Sequence, residues 1–162
     1  MNYQISGLDG RQFDHLHGKD PDFLASQGVR RITVDSKPGF PCRVALRDAE
    51  PGEHVLLMNF EHQPAASPYR SSHAIFVIEG ADSVHPAPNE VPEMFRHRLI
   101  AVRAFDSSGM MVAADISEGH ELEEMFDRFF SDEAVAYLHL HNAKPGCFMA
   151  RVERHAGAAT PR

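Results

Sequence analysis

Three short stretches concentrate the side chains able to do chemistry. The densest runs Tyr137-Leu-His-Leu-His-Asn-Ala-Lys-Pro-Gly-Cys-Phe-Met-Ala-Arg151. Side chains alternate along an extended strand, so Tyr137, His139 and His141 share one face while Leu138 and Leu140 share the other. With residues 142–146 as a hairpin loop, the expected register sets His141 opposite Cys147, His139 opposite Met149 and Tyr137 opposite Arg151. Opposed Cβ atoms then lie about 4.5–5.5 Å apart. Two chemistries suit that arrangement. A His-x-His pair presents two imidazoles to one transition metal, zinc for example, with a cysteine such as Cys147 as third ligand. Histidine beside cysteine also stabilises a thiolate, which makes His139, His141, Cys147 and Cys42 candidates for acid–base or nucleophilic catalysis. A plainer account stands beside both: histidine and cysteine on a half-buried hairpin face can simply fill volume and make local hydrogen bonds.

The second stretch, Asp35-Ser-Lys-Pro-Gly-Phe-Pro-Cys-Arg43, repeats a theme, because Lys37-Pro-Gly precedes Cys42 as Lys144-Pro-Gly precedes Cys147. Glycine turns expose backbone N–H groups, and Lys37, Arg43, Lys144 and Arg151 add positive charge, a combination that holds carboxylate or phosphate. The third stretch is Asn59-Phe-Glu-His-Gln-Pro-Ala-Ala-Ser-Pro-Tyr-Arg70, with His62 at a strand end and Tyr69 and Arg70 in the loop beyond. The expectation is a pocket where the three stretches converge on a small anionic molecule. Arg43, Arg70 and Lys144 would contact it, supported by Lys37, Asn142 and Arg151 and lined by His62, Tyr69, Tyr137, His139 and His141. The plainer alternative for the third stretch is a surface cluster of Glu61, His62 and Arg70. His73, His85, His97, His120 and His155 read as scattered surface residues, and Met58, Met110, Met111 and Met149 as core filler.

The strings Asp35–Arg43, Glu61–Arg70 and His139–Cys147 resemble domain-of-unknown-function family 1203, a set of small bacterial proteins, and the likeness runs from Tyr3 to about Arg154. The resemblance implies a bacterial, single-domain protein and brings no catalytic residue with it.

The elements that must position these residues follow from pattern. Strands are expected over 3–8, 31–35, 43–48, 54–62, 73–79, 99–105, 110–116, 134–141 and 147–153, with Glu50-Pro-Gly-Glu53 joining 43–48 to 54–62 as a hairpin. Asp20-Pro21 starts a short helix that Gly28 ends. The clearest helix spans 118–130, where Leu122, Met125, Phe126 and Phe129 recur at helical spacing. A strand–helix–strand crossover follows from its place between two strands. The sum is a single α+β domain over residues 1–154, a largely antiparallel sheet with a few packed helices, and a flexible tail over 155–162.

Composition bounds the function. The 162 residues carry a net charge of −7, which argues against unspecific binding to nucleic acid or anionic lipid. Nine acids and one base lie between Asp106 and Glu133, so the acidity is local and marks a solvated helix face. No apolar run approaches the roughly 18 residues of a membrane span, and no export signal is read at the start. Two cysteines without an export signal imply free thiols and a cytoplasmic location. No cofactor follows from these residues, and the sequence leaves open whether the protein is an enzyme. A non-enzymatic interaction domain, pairing into a homodimer through an exposed sheet edge or an apolar patch, is the third reading.

Overall fold

In the computed structural model, which describes residues 1–157, two antiparallel sheets carry the chain. The larger is built from β1 (Tyr3–Ser6), β5 (Leu99–Phe105), β6 (Met111–Glu118), β7 (Tyr137–Asn142) and β8 (Phe148–Arg154), in the order β1-β8-β7-β5-β6. The smaller is a meander of β2 (Arg30–Thr33), β3 (His54–Gln63) and β4 (Ser71–Ile78). Three helices accompany them: α1 (Pro21–Ser26), α2 (Glu93–Arg96) and α3 (Leu122–Phe130). This is the expected α+β class.

Helix α1 starts as its sequence dictates, with Pro21 in the first turn and the Asp20 carboxylate accepting the Phe23 N–H at 2.8 Å. Helix α3 buries Leu122, Phe126, Phe129 and Phe130, exposes Glu124 and Asp127, and pairs its half-buried Glu123 with Arg96. It crosses from β6 to β7, two strands that flank β5 and run parallel to each other, so the crossover passes over an antiparallel neighbour. One face of the larger sheet (Ile5, Ile100, Val102, Leu138, Leu140, Val152) packs on Phe95, Phe126 and Phe130 to make the first core. The second core joins Val55, Met58, Ile75 and Val77 of the smaller sheet to Phe13, Leu16, Leu24 and Val44.

The chain departs from expectation at residues 43–48. No strand forms there: Cys42 N–H donates to the Arg47 carbonyl, Leu46 N–H returns to the Cys42 carbonyl, and Leu46 takes a positive φ of 50°. Val44 and Leu46 are apolar because they are buried, not because they sit in a ladder. The partner of β3 is therefore β2, Ile32 lying opposite Val55, and the expected 43–48/54–62 hairpin is absent. A 3-10 helix over Gly10–Leu16, which the pattern did not announce, is capped by the Asp9 side chain. Of the tail expected over 155–162, His155 is held by its N–H to the Asn2 carbonyl, and residues 158–162 lie outside the described residues.

Candidate functional site: a buried histidine trio between the sheets

All of Tyr137, Leu138, His139, Leu140 and His141 are buried, so β7 is covered on both faces. Leu138 and Leu140 enter the first core, while the opposite face, with Tyr137, His139 and His141, meets the smaller sheet. There His62, at the end of β3, joins the two strand histidines. One ring nitrogen from each of His62, His139 and His141 lies within 4.8 Å of the others.

Aromatic packing holds the rings in place. His62 stacks on Phe148 with centroids 5.5 Å apart and planes 6° from parallel, and meets His141 edge-on at 4.9 Å. His139 packs against Phe105 at 5.0 Å and Phe148 at 5.1 Å. Tyr137 accepts a hydrogen bond from Gln63 Nε2 at 3.0 Å, and the Arg151 guanidinium lies 3.8 Å from the centre of its ring.

Proton positions at the trio follow from partners and burial. Nδ1 of His141 lies 2.9 Å from the Gly146 carbonyl oxygen, which only accepts, so Nδ1 carries the proton and Nε2 is left with a bare lone pair. That Nε2, together with Nδ1 of His62 and Nδ1 of His139, is buried without a hydrogen-bond partner. Burial pulls the His62 pKa down to about 4, helped by the charge of Arg103. It pulls His139 down to about 3, with His141 and Arg151 contributing, and His141 down to about 3 against the opposing effect of its bond to Gly146. At neutral pH the three rings are therefore uncharged donors of lone pairs.

The donor set fits a transition metal. Zinc–nitrogen bonds of about 2.0–2.1 Å in a tetrahedral site separate ligand nitrogens by roughly 3.3–3.4 Å. The present bound of 4.8 Å exceeds that spacing by about 1.5 Å, so the rings would have to close on an ion by up to that much. The Gly146 carbonyl already orients His141 as an outer-shell acceptor does in metal sites.

The structure brings the three polar stretches together, but in a different pairing from the one expected. Asn142 N–H bonds to the Cys147 carbonyl and closes the hairpin one residue tighter than anticipated. A bulge at Met149 then sets His141 opposite Phe148, His139 opposite Arg151 and Tyr137 opposite Glu153. Cysteine accordingly stays out of the trio, and the third imidazole comes from His62. Cys147 Sγ accepts instead from Arg43 Nη2 at 2.9 Å. Cys42 Sγ accepts the Ala45 and Ile78 N–H groups at 3.3 and 3.2 Å, deep in the second core.

The cations expected to grip an anion together are dispersed. Arg43 is 1% exposed and spends its three nitrogens on the Phe148 carbonyl, the Pro41 carbonyl and Cys147. Arg70 pairs with Glu61, and Lys37 with Glu50, both near the surface. Lys144 is exposed in the hairpin loop, and Tyr69 is exposed with its ring 6.4 Å from that of Phe105. Three participants were not anticipated from sequence: Phe148 and Phe105, which read only as apolar strand residues, and Arg103. Arg103 was visible as the charged residue alternating with apolar ones on a predicted strand. His73, expected on the surface, is half-buried. The cleft of about 590 Å³ between residues 6–14 and 81–85 contains none of the trio.

Fold and site together describe an α+β protein with a buried cluster of three neutral imidazoles between two antiparallel sheets. The chain belongs to the family described as Protein of unknown function (DUF1203), which matches residues 39–154. The match takes in all three histidines and omits β1, α1 and β2, so it begins later than the Tyr3 expected from resemblance. No curated protein and no solved structure matches the chain.

Proposed function

We propose that this protein binds one transition-metal ion through His62, His139 and His141, in a site of the open kind used for catalysis. The observation that carries the reading is the set of buried, unpartnered ring nitrogens on three rings packed so closely. A buried polar atom without a partner costs on the order of 1–3 kcal/mol, and three rings that each carry one, with one nitrogen apiece within 4.8 Å of the others, call for a group that ligates imidazole nitrogen. A metal does so, and the aromatic shell of Phe105, Tyr137 and Phe148 limits water around it. Three neutral protein ligands leave a fourth position for water or substrate, which separates this arrangement from closed structural zinc sites. An ion there would act as a Lewis acid or activate bound water. The two free cysteines fit the expected cytoplasmic setting, and the family resemblance supports a bacterial origin.

The test is elemental analysis of untagged protein purified under reducing conditions without chelator, followed by cobalt(II) titration of the stripped protein. The expected result is close to one equivalent of metal and visible cobalt bands of low-coordinate type, both lost in His62→Ala and in His139→Ala/His141→Ala. Retention of metal in His62→Ala, or failure of folded wild-type protein to take up zinc, cobalt or iron, defeats the proposal.

A further inference from the structure

Arg103 lies on β5 directly opposite His139 of β7, with Ala114 of β6 on its other side. Opposed residues of an antiparallel ladder share a face, so its side chain leaves the sheet on the histidine side. It is half-buried, and its charge contributes to lowering the pKa of all three imidazoles. Burial lowers its own pKa, and no protein group among the described residues offsets that effect. The other semi-buried guanidinium groups differ. Arg151, across His139 from Arg103, holds Glu153, while Arg31, Arg96 and Arg98 hold Glu79, Glu123 and Asp48. A half-buried guanidinium without a counter-ion is free to receive an anion, and this one stands beside the trio.

A divalent ion on three neutral imidazoles keeps its full charge, and Arg103 adds another positive charge at the same place. Arg151 is already paired with Glu153, so on the metal reading above, on which this step rests, the ion and Arg103 are two positive centres to which no protein carboxylate among the described residues is paired. We propose that Arg103 anchors the oxyanion group of a small carboxylate or phosphate ligand, which bridges the guanidinium and the coordination position the histidines leave open. Guanidinium presents its N–H groups in a planar fork that matches two oxygens of such a group, and one of these oxygens is free to reach the metal. Binding of ion and oxyanion is then coupled, and the coupling is reciprocal.

Cobalt(II) is titrated into stripped wild-type protein, Arg103→Met and Arg103→Lys in chloride, and again with acetate or phosphate at matched ionic strength. In wild type, the favoured oxyanion tightens cobalt binding about tenfold or more and shifts the cobalt bands. Acetate against phosphate identifies the ligand source. In Arg103→Met, cobalt alone binds as tightly as in wild type or more tightly, because a repelling charge is gone, while the oxyanion effect falls to about twofold or less. Arg103→Lys keeps the repulsion and recovers only part of the coupling. Unchanged thermal midpoints of the stripped variants establish that the fold is intact. If wild type binds cobalt and Arg103→Met shows the same oxyanion coupling, Arg103 is not the anchor and the metal reading survives. If no oxyanion shifts cobalt binding in wild type, the bridging ligand is likewise overturned. If wild type binds no cobalt, both readings fall.

Discussion

Acidifying the metal-free protein from pH 7 to pH 5 should destabilise it severely, by an amount that the histidine trio sets. Burial holds the folded-state pKa of His62 at about 4 and of His139 and His141 at about 3, whereas an unfolded histidine titrates near 6.5. In this window the unfolded chain binds protons that the folded chain refuses, so stability rises with pH and falls on acidification. The loss begins near pH 6.5 and continues until the folded rings themselves accept protons near pH 3–4. At pH 5 an unfolded imidazole is almost fully protonated while its folded counterpart is mostly neutral. The difference from pH 7 is then about 1.8 kcal/mol per ring, or roughly 5–6 kcal/mol for three independent rings. That is comparable to the whole stability of many domains. Carboxylates held low by ion pairs, such as Glu53 at about 2 beside Arg47, act in a different window. Their contribution is present above the unfolded carboxylate pKa near 4.5 and is lost only at more acid pH.

The assay is urea unfolding with chelator present at pH 7, 6 and 5, for wild type and for single His→Gln variants at positions 62, 139 and 141. Near pH 5.5 the trio alone should give a slope close to three protons, about 4 kcal/mol per pH unit. Each variant should lower the slope by about one proton, whatever it does to stability at pH 7. A wild-type slope below one proton between pH 6 and pH 5, or variants with the wild-type slope, would mean that the rings are hydrated or already charged in the folded state. The case for unpartnered lone pairs would fail with it.

Other perturbations follow from the same contacts. Zinc at a hundredfold excess over its dissociation constant should raise unfolding stability by about 2.7 kcal/mol in wild type and not in His62→Ala, read as a change in urea midpoint. Arg43→Lys should destabilise by at least about 2 kcal/mol and by more than Arg43→Met. Methionine orphans the carbonyls of Pro41 and Phe148, whereas lysine keeps a buried charge whose single ammonium cannot span both acceptors. A midpoint for Arg43→Lys at or above that of Arg43→Met would contradict this account. Gly119→Ala should unfold the protein or abolish soluble expression, because a Cβ there would run into the backbone carbonyl oxygen of Phe95. A wild-type midpoint for that variant would show that α2 and the turn before α3 move apart easily.

Much of the scaffold was legible because local period and burial agree in it. The spacing of Leu122, Phe126 and Phe129 follows a helix that packs on a sheet, and alternation along β7 correctly put His139 and His141 on one face. Residues 43–48 failed as a strand because burial produces an apolar pattern in a tight loop as readily as in a ladder. The pairing of cysteine with the histidines failed because register was counted from loop length alone. One residue of difference at the Asn142–Cys147 closure, followed by a bulge, moved every opposed pair.

Those irregularities are what assemble the trio. Between Glu61 opposite Ser72 and Gln63 opposite Ser71, β3 carries one residue without a partner, and that residue is His62. Strict alternation would send His62 and Gln63 to opposite faces, yet both reach the larger sheet, His62 at His141 and Gln63 at the Tyr137 hydroxyl. At β8 the extra residue is Met149, which lies with Ala150 in the first core and lets Phe148 turn the other way to stack on His62. A bulge adds one residue to one strand and re-aims the side chains around it, which is why bulges recur beside functional sites. Neither of these contains glycine, the residue that makes some bulges visible in sequence. Straightening β3 would part His62 from the two imidazoles of β7, and straightening β8 would take Phe148 away from His62. The ladder therefore gives up regular pairing at two positions where the nearest beneficiary is the histidine cluster, as expected if that cluster, rather than the sheets alone, is what the sequence maintains.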